Sequence, residues 1–127
     1  MKKAILFAGL FCLMSTASHL HAQSINNRNW KTFIADPLND TLTFHIQADS
    51  SFVTNSSGAT ILRTNCMISG DTLILSDYGT GDYSCPDMKG VYKIYPNGRS
   101  FTLKLINDAC EGRTHALDGI KWTESRQ

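Results

Sequence analysis

The chain has 127 residues, with 12 basic and 11 acidic side chains, and 42% of it is apolar. That length suits one domain with a single buried core. The near balance of charge gives no electrostatic basis for binding nucleic acid or an anionic surface.

The start of the chain reads as a leader. Met1-Lys2-Lys3 is a short basic segment, and Ala4 to Met14 is apolar. That run is too short to span a bilayer and has the length of a signal-peptide core. Cleavage is expected after Ala22, with Ala17 as the second choice. Residues 1–22 are then a signal peptide and 23–127 one β-barrel domain. The form is bacterial in type and implies a periplasmic or secreted protein. Cys12 belongs to the leader, so the mature domain keeps Cys66, Cys85 and Cys110.

Beyond the leader no helical period is evident, and strands follow one another. Gln23 to Asn29 reads as a loose polar arm. Trp30 to Ile34 is the first strand, ended by Asp36-Pro37. Thr41 to Ile46 alternates, with Leu42, Phe44 and Ile46 on one face. His45 lies on the other face, toward solvent. A short strand surrounds Phe52 and Val53. Ala59 to Ile68 is the fourth strand and Thr72 to Ser76 the fifth. Cys66 shares a face with Leu62 and Ile68, as a buried free cysteine does. A loop from Asp77 to Met88 leads to a hairpin whose arms flank Pro96-Asn97-Gly98. Thr114 to Trp122 is expected as the eighth strand, with a bulge at Gly119.

The apolar alternation selects a register for the hairpin. It pairs Ile94 with Phe101 and Tyr92 with Leu103. The same register, extended, sets Cys85 opposite Cys110, within disulfide reach. A disulfide between them fits a secreted protein. Eight short strands with no helix between them argue an all-β fold, an eight-stranded antiparallel up-and-down barrel. In such a meander the four longer loops share one rim, and both cysteines lie on it. Trp30 and Trp122 meet at the tight-turn end.

The pattern Cys85, Gly90, Tyr92, Asp108, Cys110, Arg113, Gly119 and Trp122 resembles that of small secreted bacterial lipocalin-like proteins, within the calycins. The resemblance implies a lipocalin-like barrel that binds a small hydrophobic ligand. The inward residues Leu42, Phe44, Ile46, Leu62, Ile68, Tyr92, Ile94, Phe101, Leu103, Leu105 and Leu117 either fill the barrel or leave an apolar pocket at the long-loop rim. The expected ligand contacts are Tyr92, Phe44, Leu62, Leu103, Arg113 and Tyr83, with Tyr78, Tyr83 and Met88 as a lid. Arg113 has two readings: an ion pair with Asp108 that orders the loop, or an anchor for a ligand group.

No nucleophile–base arrangement and no carboxylate pair can be placed, so an enzyme is not expected. Neither is a cofactor or a metal. The alternative function is a protein-binding module, such as a periplasmic protease inhibitor that inserts its N-terminal arm. The partner is thus a small apolar molecule or a protein, with no nucleic acid, no membrane span and a monomeric chain.

Overall fold

A computed structural model describes residues 25–79 and 84–126. The expected signal peptide, its expected cleavage site and Tyr83 lie outside the described residues. The strands are β1 (Arg28–Ile34), β2 (Asp40–Ile46), β3 (Ser50–Thr54), β4 (Thr60–Ser69), β5 (Thr72–Asp77), β6 (Lys89–Asn97), β7 (Ser100–Asn107) and β8 (Lys121–Glu124). Each pairs antiparallel with the next, and β8 closes on β1 through Trp30–Glu124 and Lys31–Thr123. The fold is a closed eight-stranded up-and-down barrel. Closure removes the free sheet edges that an open meander would leave.

Alternation decides what lies inside. Leu42, Phe44 and Ile46 of β2 are buried, while Thr43 and His45 between them face outward. Leu73 and Leu75 of β5 and Tyr92 and Ile94 of β6 repeat the pattern. Large rings fill the middle. Trp30 meets Phe101 edge-on at 4.7 Å, and Phe44 lies tilted against Trp122 at 5.3 Å between centroids. Edge and tilted contacts suit the ring quadrupoles better than a face-to-face stack. Cys66 is buried and free, with Sγ 3.6 Å from the Gln47 carbonyl. Burial pushes its thiol pKa up.

The hairpin departs from the expected register. Ile94 pairs with Leu103 and Tyr92 with Leu105, a slip of two residues that keeps the same faces inward. Pro96 explains the slip. An Asn97-Gly98 turn would place Pro96 in the closing hydrogen-bonded pair, where its missing N–H is needed. Instead Asn97 pairs with Ser100, and Gly98 takes the first turn position with φ +62°. A two-residue turn of the II′ kind needs positive φ there. A further shift at Val91 ends the regular ladder. Leu105, expected inside, is 41% exposed.

The expected eighth strand, Thr114 to Trp122, is mostly not a strand. Glu111–Leu117 forms a helix, α1, and β8 begins only at Lys121. Arg113 and Leu117 are its two buried residues, four apart and so on one helical face. Asp118 and Gly119 then turn the chain. Asp118 Oδ1 accepts the Leu105 N–H at 2.9 Å, and the Gly119 N–H donates to the Leu103 carbonyl at 2.8 Å. Gly119 has φ +74°, which glycine adopts without steric cost.

The N-terminal arm is also more ordered than expected over its described part. Arg28 and Asn29 belong to β1. Ile25 is buried, and its carbonyl accepts the Trp30 indole N–H at 3.1 Å. This contact closes the barrel at the tight-turn end.

Candidate functional site

The long-loop rim carries two features, a buried ionic cluster and a cavity. The cluster centres on Arg113, which is 1% exposed. Its Nε donates to Asp108 Oδ2 at 2.6 Å and its Nη1 to Asp77 Oδ1 at 2.7 Å. Its Nη2 donates to the Met88 carbonyl and to Asp108 Oδ1, each at 2.8 Å. Four of the five guanidinium N–H groups are thus engaged. Asp77 Oδ2 accepts the Cys85 N–H at 2.8 Å, and Asp108 Oδ1 accepts the Cys110 N–H at 2.9 Å. The Tyr92 hydroxyl donates to Asp108 Oδ2 at 2.5 Å.

Local geometry explains the assembly. Asp77 ends β5, Tyr92 lies on β6, Asp108 follows β7, and Arg113 is on the first turns of α1. The Cys85–Cys110 disulfide, with Cα atoms 6.0 Å apart, joins the segment before β6 to the residue that precedes α1. The expected bond therefore forms, but between a loop and a helix start rather than across a ladder. Gly90 leaves the space the cluster occupies. A Cβ there would lie 2.8 Å from Asp108 Cγ and 2.9 Å from Arg113 Nε.

Burial and pairing compete over the charges. Burial alone raises the Asp108 pKa, but hydrogen bonds from Arg113, Tyr92 and the Cys110 N–H outweigh it and hold the carboxyl below its ordinary value. Burial works against the Arg113 charge, yet the two carboxylates more than compensate and its pKa rises. Burial, then the Asp108 hydrogen bond and charge, drive the Tyr92 phenol up. The cluster is a structural tie among four elements with its charges fixed.

The cavity lies beside it. Its volume is about 320 Å³, and Ile34, Leu38, Leu42, Val53, Ile61, Leu62, Ala116 and Leu117 form its aliphatic wall. Trp122 also borders it, with its indole N–H buried and without a hydrogen-bond partner. Asp36, Pro37, Gly112, Arg113 and His115 complete the lining. Helix α1 and the β1–β2 turn thus form the cavity's rim side.

Of the six expected contacts, Leu62 and Arg113 border this cavity. Tyr92, Phe44 and Leu103 are buried in the filled part of the barrel, outside its lining. Tyr83 lies outside the described residues. Tyr78 and Met88, expected as a lid, are exposed and do not border it. Sequence reasoning named Leu117 as inward, though on a strand, and missed Ala116 and the β1–β2 turn as walls. The spacing of Arg113, Ala116 and Leu117, three and four residues, was the available signal.

Asp77, Cys85 and Cys110 bring potential ligand atoms within 4.8 Å of one another. The two sulfurs are bonded to each other, and Asp77 is held by Arg113. That leaves no thiolate for a metal. On the outer wall, His45 accepts or donates at Asn29 (2.9 Å) and Thr54 (3.0 Å) and stacks on Phe52 at 4.3 Å. Burial lowers its pKa. Among the described residues, no helix is long and apolar enough to cross a membrane.

The architecture is thus a small closed β-barrel of calycin-like form, with a cavity at one rim. No family model, curated protein or solved structure matches the chain.

Proposed function

We propose that the protein is a secreted or periplasmic lipocalin-like carrier that binds a small apolar molecule. The observation that carries this reading is the cavity of about 320 Å³ with its aliphatic wall. It lies at the small end of ligand pockets. By liquid volume it equals about ten water molecules, which suits a medium-length acyl chain or one or two rings. The disulfide fits an oxidising compartment. The reading is of a binding protein and not an enzyme. The inhibitor alternative draws no support from Ile25, which is packed at the barrel end rather than free to insert.

The test uses the mature oxidised chain and N-phenyl-1-naphthylamine, an uncharged fluorescent probe. The reading expects saturable one-to-one fluorescence enhancement. Ala116→Trp fills the cavity from α1 and should abolish the enhancement while circular dichroism still reports the barrel. Absence of enhancement with the wild type, or equal enhancement with the variant, would overturn the reading.

A further inference from the structure

We propose that the cavity takes uncharged apolar molecules bearing a hydrogen-bond-accepting oxygen, such as a ketone or ester carbonyl, and that the Trp122 indole N–H receives that oxygen. The inference rests on the carrier reading and adds the polar group of the ligand.

The two buried tryptophans differ in one respect. Trp30 donates its indole N–H to the Ile25 carbonyl at 3.1 Å and does not border the cavity. Trp122 borders the cavity, is 0% exposed, and has a buried indole N–H without a hydrogen-bond partner. A buried Trp N–H is normally paired, because leaving the donor empty forfeits its hydration with nothing in return. The surroundings show where an acceptor can come from. The Phe44 ring packs tilted against the indole at 5.3 Å, and the Trp122 backbone is paired with Phe101 of β7. Both neighbours belong to the filled part of the barrel, so the cavity is the open side. A lone water is a poor occupant, since a held water takes about two to four polar partners. The aliphatic wall around Trp122 offers none. A carbonyl oxygen on an apolar molecule needs only this one donor, and Leu42, Val53, Ile61 and Leu62 match its carbon skeleton.

The charged side chains at the cavity select no charged head. Asp36 and Arg113 border it with one charge of each sign, and His115 is exposed. Arg113 already has four of its five N–H groups engaged. An ionised head drawn in as far as Trp122 would give up its hydration for one neutral donor. That costs far more than burying a carbonyl on the same donor.

The test follows the two indole N–H resonances of the nitrogen-labelled, mature oxidised chain by NMR. It compares 2-octanone with 2-methyl-1-octene, which has the same shape with a methylene in place of the oxygen. Saturating ketone should move the Trp122 indole proton downfield, as hydrogen bonding does, and leave that of Trp30 in place. The alkene should displace N-phenyl-1-naphthylamine yet cause no such downfield shift. In the same displacement assay, Trp122→Phe removes the donor and should weaken the ketone about tenfold relative to the alkene. That ratio cancels the change of cavity shape, which both molecules feel. If the variant does not fold, the wild-type resonances decide. An equal shift with ketone and alkene, or a Trp122 proton that the bound ketone does not move, would overturn the inference while the cavity reading stands. So would an unchanged ratio in the variant, or binding of the probe with no displacement by the ketone. Failure of the probe itself to bind removes the carrier reading and this inference together.

Discussion

Arg113→Met is the most informative single change, because it removes one charge and strands two. The methionine keeps the apolar length of the side chain but makes none of the four hydrogen bonds. Asp77 and Asp108, both with 0% exposed side chains, would then face each other without a cation. Removing one partner from a buried ion pair costs about 3–5 kcal/mol. A domain of this size has only about 5–15 kcal/mol in total. With a urea slope of about 1–3 kcal/mol per molar, the midpoint should fall by roughly 2 M. The pH dependence supplies a sign. In the wild type the Asp108 pKa is depressed. Its contribution is present above the unfolded value of about 3.9 and is lost as pH falls through the folded one. In the variant burial acts unopposed by Arg113 and raises the Asp108 carboxyl pKa. Acidification toward pH 5 should then restore part of the lost stability. Urea melts of both proteins between pH 4 and 8 test this. A cost below about 1 kcal/mol, or stability lost in parallel on acidification, would refute the argument.

Two further predictions concern the same rim. Replacing Cys85 and Cys110 by alanine opens a loop with a sequence separation of 25 and should cost about 3–4 kcal/mol by chain entropy. Peptide mapping of the untreated protein should join these two, with Cys66 alkylated only after unfolding; a bond to Cys66 would contradict the fold. Gly90→Ala places a methyl group against Asp108 and Arg113 and should destabilise by about 1–3 kcal/mol, read as a lower thermal midpoint. An unchanged midpoint would mean that the cluster is looser than its hydrogen bonds indicate.

Much of the barrel was legible because alternation is a local signal. Leu42, Phe44 and Ile46 declare an inward face without reference to anything distant. The hairpin register was readable to parity but not to position. Parity follows from the apolar pattern, whereas position depended on one missing N–H at Pro96. The helix α1 was illegible for a different reason. Seven residues are too few to form a stable helix alone. It is held by the disulfide at its start and by Arg113 and Leu117 beneath it. Because the cavity wall depends on that helix, the site inherited the error. Phe44, Tyr92 and Leu103 were correctly placed inside but belong to the filled part of the barrel. Inwardness follows from alternation, but the location of a void depends on how side chains from eight strands sum at each level.

The central claim is that a small apolar molecule enters between α1 and strands β1 to β4. The most direct measurement is a methyl-resolved NMR titration of the mature oxidised protein with N-phenyl-1-naphthylamine. Shifts are predicted at Ile34, Leu38, Leu42, Val53, Ile61 and Leu62, which border the cavity. Leu73, Ile94 and Leu103, in the filled part, should stay in place. Changes centred instead on the exposed Met67 and Ile106, or no saturable change at all, would contradict the account.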